Sequence, residues 1–151
     1  MKTIILISHF YKEPFLENEI EYLGKKENLQ LVMMPTSQSD YEQFVPKNAT
    51  IDILLVNTFQ NIFIRLLFMF KSLYYKNFYI EFKTQVIHNP KKLVRALYSY
   101  ARYLFYKKEL EEYIKLNSDK DLIFYTYWYN EITYALQSLK QQYNFKLIYL
   151  L

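Results

Sequence analysis

The stretch Thr3-Ile4-Ile5-Leu6-Ile7-Ser8-His9-Phe10-Tyr11-Lys12-Glu13-Pro14-Phe15-Leu16-Glu17-Asn18-Glu19-Ile20-Glu21-Tyr22-Leu23-Gly24 decides how the rest of the chain reads. It opens on an apolar run, Thr3 to Ile7, with no polar alternation, which suits a strand covered on both faces, as in a parallel sheet. From Pro14 the period changes. Leu16, Ile20 and Leu23 recur at spacings of four and three and mark one face of a helix. Pro14 fits a helix opening, and Glu17 and Glu19 place negative charge in the first turn, where the helix dipole favours it. Gly24 offers a stop.

Four more apolar runs follow: Leu29 to Met34, Ile51 to Val56, Leu122 to Tyr127 and Lys146 to Leu151. Helical patterns lie where parallel strands need crossovers. Lys91 to Asn117 carries Leu93, Leu97, Tyr100, Leu104, Leu110, Tyr113 and Ile114 at three- and four-residue spacing and reads as one long helix or two. Ile132, Ala135, Leu136, Leu139 and Tyr143 mark another amphipathic helix between the last two runs. Thr58 to Tyr75 is apolar nearly all round and reads as helical, with a strand left open by its aromatic residues. This order predicts an α/β fold: a Rossmann-like, doubly wound, mainly parallel sheet of about five strands with helices on both faces. Ile4 to Ile7 and Ile51 to Val56 are expected at its centre, and ligands at the carboxyl ends of its strands.

Size and composition narrow the function classes. The chain of 151 residues is 52% hydrophobic and 23% charged, enough for one core, so a single domain over 1–151 is expected. The absence of cysteine excludes disulfides, thiolate metal sites and thiol redox chemistry. The N-terminal apolar run is shorter than a signal peptide needs, and the longest apolar stretch, Ile62 to Phe70, contains Arg65 and is far below the length of a membrane span. A cytoplasmic location is expected. Aromatic residues make up 20% of the chain. They invite a sugar- or base-stacking reading, but the coding bias of an AT-rich genome accounts for them more simply. A single glycine, and none between His9 and Glu13, argues against dinucleotide and Walker-type phosphate cradles, and no cofactor is expected. No metal-ligand spacing is visible, and no protein-built metal site is expected.

At Glu13-Pro14-Phe15-Leu16-Glu17-Asn18-Glu19-Ile20-Glu21-Tyr22-Leu23, and again at Tyr125-Thr126-Tyr127-Trp128-Tyr129-Asn130 with Tyr134-Ala135-Leu136, the chain resembles glycosyltransferase family four enzymes that build bacterial surface polysaccharides. The two blocks stand in the family's order and span most of the chain. The resemblance implies half of a GT-B fold: the N-terminal domain that holds the acceptor, a sugar or lipid-linked glycan. It implies that the nucleotide-sugar donor binds only through a C-terminal domain, expected beyond Leu151 together with a cleft histidine and a pair of glutamates. It also implies that this chain alone transfers no sugar. The first loop departs from the family, which usually carries glycine before the matched glutamate where this chain has Tyr11-Lys12.

The resemblance and the expected carboxyl edge together nominate Glu13, Pro14, Phe15, Tyr127 and Trp128 for substrate binding. Glu13 can accept hydrogen bonds from sugar hydroxyls or merely complement a helix dipole. Tyr127 and Trp128 can stack on a sugar ring, although aromatic residues at strand ends more often close the core. His9 follows the first run where a base would stand, but no orienting carboxylate accompanies it, and His88 reads as a turn residue. No catalytic residue is assigned.

Charge is unevenly spread. Lys83 to Lys108 contains seven basic residues, among them Lys91, Lys92, Arg95 and Arg102, and no acidic one, while the whole chain carries +4. Interleaved with aromatic residues, the segment suits an anionic membrane surface, which would place the protein peripherally at the inner face of the cell membrane. A solvated helix face is the alternative. Nucleic acid is not an expected partner, because no recognised binding motif accompanies the charge. The second function class is a non-catalytic Rossmann-like module that binds a sugar or a membrane surface.

Overall fold

A computed structural model describes residues 2–8, 14–36, 49–56, 59, 61–81, 83, 90–127 and 130–149. In chain order the elements are β1 (Lys2–Ser8), α1 (Pro14–Gly24), β2 (Leu29–Pro35), β3 (Ala49–Ile51), α2 (Ile62–Ser72), α3 (Lys76–Glu81), α4 (Pro90–Leu116), β4 (Asp121–Thr126), α5 (Glu131–Lys140) and β5 (Lys146–Tyr149). The five strands form one parallel sheet in the order β3-β2-β1-β4-β5. The chain winds outward from β1 in both directions, and the order reverses between β1 and β4. This is the doubly wound, Rossmann-like α/β architecture that the apolar runs predict.

Side chains alternate across the sheet and sort the core into two layers. Ile5, Ile7, Val32, Met34 and Phe124 pack with Phe68 of α2, with Ala101, Phe105, Leu110 and Ile114 of α4 and with Leu136 and Leu139 of α5. On the opposite face Leu6, Leu31 and Met33 pack with Leu16 and Ile20 of α1. Fully burying each such side chain contributes about 1.5–3 kcal/mol, so the β1–β2 pair, covered on both sides, anchors the fold. The β4–β5 half is covered more thinly. Ile123 and Tyr125 are only half-buried, and Ile148 of β5 is exposed.

One expectation is corrected. The run Ile51 to Val56 was expected as a central strand, but β3 ends at Ile51 and lies at the sheet's edge. The last ladder bond is Asp52 N–H to the Met33 carbonyl at 2.9 Å. The Asp52 carboxylate then accepts from the Leu54 amide at 3.0 Å, and the Val56 amide donates to the Ile53 carbonyl. A short polar side chain that binds the backbone two residues ahead turns the chain. Leu55 and Val56 still reach the core, from a turn rather than a strand.

The helices follow local chemistry closely. The side chain of Asn130 accepts from the amides of Ile132 and Thr133, and that of Asn61 from the amide of Phe63, so α5 and α2 each begin on an N-cap. Residues 90–116 form one continuous helix of 27 residues, about 40 Å long. Ser99 of α4 is already level with Glu131, the first residue of α5, through a 3.0 Å hydrogen bond. The first turns of α4 therefore project past the start of α5, on the side where the strands end. No helix among the described residues is long and apolar enough to cross a membrane.

Candidate functional site

The segments leaving the carboxyl ends of β3 and β4 converge on the N-terminal half of α4 and build a basic, aromatic cluster there. Phe59 precedes α2, and Arg65 stands one turn into that helix. The Arg65 guanidinium carbon lies 5.8 Å from the centre of the Phe59 ring and 5.7 Å from that of Tyr98 on α4. The two rings meet edge to face at 5.6 Å. Arg65 donates a long hydrogen bond, 3.5 Å, from a terminal nitrogen to the Phe59 carbonyl. Its Nε is buried and has no hydrogen-bond partner among the described residues. Leaving a buried donor unpaired costs about 1–3 kcal/mol, and an anionic oxygen placed there would remove that cost.

Arg102 approaches Tyr98 from one turn further along α4, at 6.0 Å, and lies 5.5 Å from the ring of Tyr106. It donates to the Tyr106 hydroxyl at 3.1 Å and faces the Glu131 carboxylate at 4.0 Å. Partial burial works against its charge, but Tyr106 and Glu131 more than offset this and raise its pKa above the ordinary arginine value. The guanidinium stays ionised at any working pH. Glu131 also accepts from the Ser99 hydroxyl. Two cations thus approach one tyrosine ring, and Tyr98 remains 37% exposed with ring surface to offer. Each cation–ring contact contributes about 0.5–2 kcal/mol depending on desolvation, which is enough to hold both guanidinium groups in place without a full complement of acids.

The β4 end is closed by polar contacts of its own. The hydroxyls of Thr126 and Thr133 are 2.9 Å apart and fully buried, tying the strand's last residue to the first turn of α5. Ser8, at the end of β1, is buried beside this junction, and its carbonyl accepts from the Thr36 amide.

The residues nominated from the sequence fall in different places. Glu13 and Trp128 lie outside the described residues. Pro14 and Phe15 open α1. Tyr127 is 3% exposed, packs against Tyr125 at 5.2 Å and donates its hydroxyl to Glu19 of α1. That is the core-closing role, on the α1 side of the sheet. Lys92 and Arg95 are exposed on the projecting turns of α4, and Lys91 is the second residue of that helix. Arg102 turns inward to the cluster. Sequence reasoning missed Phe59, Arg65, Tyr98 and Glu131. The available signal was Arg65, the one charge within the apolar run Ile62 to Phe70.

Comparison with protein-family models, with curated proteins and with solved structures returns no match to this chain.

Proposed function

We propose that this chain is the acceptor-side half of a GT-B glycosyltransferase. It binds a lipid-linked or polysaccharide acceptor at the carboxyl edge of its sheet, and sugar reaches that acceptor from a nucleotide-sugar held by a separate donor-binding domain. The observation that carries the reading is the pair Arg65 and Arg102 gathered on Tyr98, with Arg102 facing Glu131 just after β4, the strand beside which the order reverses. Open α/β sheets bind ligands at such points. Guanidinium groups match the phosphate of a lipid-linked acceptor, and a partly exposed tyrosine face suits a sugar ring. The resemblance at Glu13 to Leu23 and at Tyr125 to Asn130 points the same way. The protein works peripherally, at the inner face of the cell membrane, where lipid-linked acceptors are held.

The binding test uses inorganic pyrophosphate and a soluble sugar 1-phosphate, titrated calorimetrically. Parent protein is expected to bind both, with Arg65→Gln and Arg102→Gln each about tenfold weaker, the equivalent of one charge-assisted hydrogen bond. Equal affinity in the parent and both variants would overturn the site. The isolated chain is expected to transfer no sugar from any nucleotide-sugar. Turnover by the purified chain that disappears in Glu13→Ala would overturn that statement.

A second reading, a non-catalytic module that binds a sugar or a membrane surface, is favoured by the exposed apolar side of α2. Retained binding of sugar phosphate with no transfer even when a donor-binding domain is supplied would select it.

A further inference from the structure

Helix α2 is amphipathic the wrong way round for a helix that only has to pack on a sheet. Phe68 and Ser72 are buried, and Ser72 satisfies its hydroxyl on the Phe68 carbonyl at 2.8 Å. Its outward side carries Ile62, Phe63, Leu66, Leu67 and Phe70, and Tyr74 continues the stripe just past the helix. Phe63 is 79% exposed and Tyr74 90%. The stripe amounts to on the order of 600 Å² of apolar surface, as large as the largest patch of an ordinary soluble monomer, and such patches mark interaction sites. Tyr79 and Ile80 of α3 are exposed as well, while buried Phe78 packs against Ala96 and fastens α3 to α4.

The charge around the stripe says what covers it. Residues 53–108 contain ten basic residues and one acidic residue, Glu81, a net +9 in a chain of net +4, so the remainder carries −5. Lys71, Lys76, Lys92 and Arg95 are exposed on the same three helices. A second copy of the chain would bring like charge against like. An anionic bilayer meets both demands: its headgroups attract the basic rim, and its acyl boundary accepts apolar side chains without asking for directional contacts. Tyrosines at the edge of the stripe, apolar in body and polar at the tip, suit the interface itself.

We infer that α2 docks the protein by inserting its outer face into the headgroup and acyl boundary of an anionic membrane, with the basic residues of α3 and α4 resting on the headgroups. The inference deepens the peripheral placement proposed above and rests on it for location only, not on the sugar chemistry. Arg65 stands on the same helix as the stripe, so docking would bring the candidate acceptor site close to the lipid surface.

The test is co-sedimentation of the purified chain with vesicles of pure phosphatidylcholine and of phosphatidylcholine with one third phosphatidylglycerol, at low and high salt. The variants are Phe63→Ser/Leu67→Ser/Phe70→Ser together, and Lys92→Gln/Arg95→Gln together. Unchanged thermal melting of the exposed-residue triple variant guards against loss of fold. Expected results are binding of parent to the anionic vesicles, a loss of tenfold or more in the triple variant, and a smaller loss in the charge variant. A Phe63→Trp variant, compared with the parent for the background from Trp128, is expected to be quenched by brominated acyl chains. If the triple variant binds like the parent while the charge variant does not, insertion is overturned and electrostatic adsorption by α4 stands. If the parent binds neither vesicle, peripheral placement falls as well. A concentration-dependent dimer abolished by the triple variant would overturn the inference in favour of self-association.

Discussion

Helices α5 and α2 begin alike and end up opposed. Each starts on an asparagine cap, they contain 10 and 11 residues, and each closes with a lysine in its last turn. Yet α5 buries Ile132, Thr133, Ala135, Leu136 and Leu139, whereas α2 buries only Phe68 and Ser72 and turns most of its large apolar side chains to solvent. Local signals decide that a helix forms and where it starts. They do not decide how many of its apolar residues the fold will use. In α5 apolar content and core demand match. In α2 there is a surplus, which the fold leaves exposed.

The largest effect expected from this contrast is on stability. Leu136→Ala, at a fully buried position of α5, should cost about 2–5 kcal/mol, and Leu67→Ala on the outer side of α2 should stay within about 0.5 kcal/mol, both read from urea denaturation. A cost at Leu67 approaching that at Leu136 would break the contrast, because the stripe would then be part of the core.

The caps sharpen it at the next level down. Asn130 accepts from two amides, at 3.0 and 3.3 Å, and Asn61 from one at 2.9 Å. Asn130→Ala is expected to cost about 1 kcal/mol and Asn61→Ala somewhat less, measured by the same denaturation. A cap effect confined to α5 would mean that α2 is held only by Phe68 and its neighbours.

Alkaline pH should weaken the packed side of the molecule. Burial, and then the Asp52 carboxylate, push the Tyr113 hydroxyl up to about 12. Burial, and then Glu19, raise Tyr125 as well. Both folded values lie above the unfolded one, so each contribution is fully present below pH of about 10 and is lost as pH rises through the folded value, about 12 for Tyr113. Tyr113→Phe should flatten the fall in melting temperature across that window. An unchanged slope would remove Tyr113 as its cause.

The smallest effect belongs to the surface of α4. Hydrogen bonds from Lys115 and then from Tyr143 hold the Glu111 carboxyl below its ordinary value. Its contribution is present above the usual carboxylate range and is lost as pH falls through the lower folded value. Since the pair is largely solvated, Glu111→Gln should change stability by only a few tenths of a kcal/mol at pH 7, and less at pH 3. A loss above about 1 kcal/mol would give this salt bridge a structural weight its exposure does not suggest.

Much of the fold was legible in single residues. Thr3 to Ile7 and Leu29 to Met34 read as strands because both faces of β1 and β2 are covered. Leu16 and Ile20 read as the inner side of α1 because they are. Nothing between Leu104 and Leu110 breaks the helix, so the long pattern is one element. The third run misled for a local reason: Asp52 binds the Leu54 amide and turns the chain where hydropathy alone continues a strand. The site was less legible. Tyr127 read either as a sugar platform or, as aromatic residues at strand ends more often do, as closing the core, and no local signal announced that its hydroxyl meets Glu19, 108 residues away.

The sequence by itself determined most of the elements and their order, the local caps and turns that bound them, and the concentration of positive charge between residues 53 and 108. These depend on groups within about one turn of each other, so they can be read along the chain. Ile4 to Ile7 was also expected at the centre, where β1 lies; only the tertiary structure decided that β3 is an edge, which side of α2 faces the core, and that Arg65, Tyr98, Arg102 and Glu131 share one corner. A helix that is apolar nearly all round carries no record of which face will be covered. That choice is made by the sheet and by α4, whose Phe105 meets Phe68 of α2 from far along the chain.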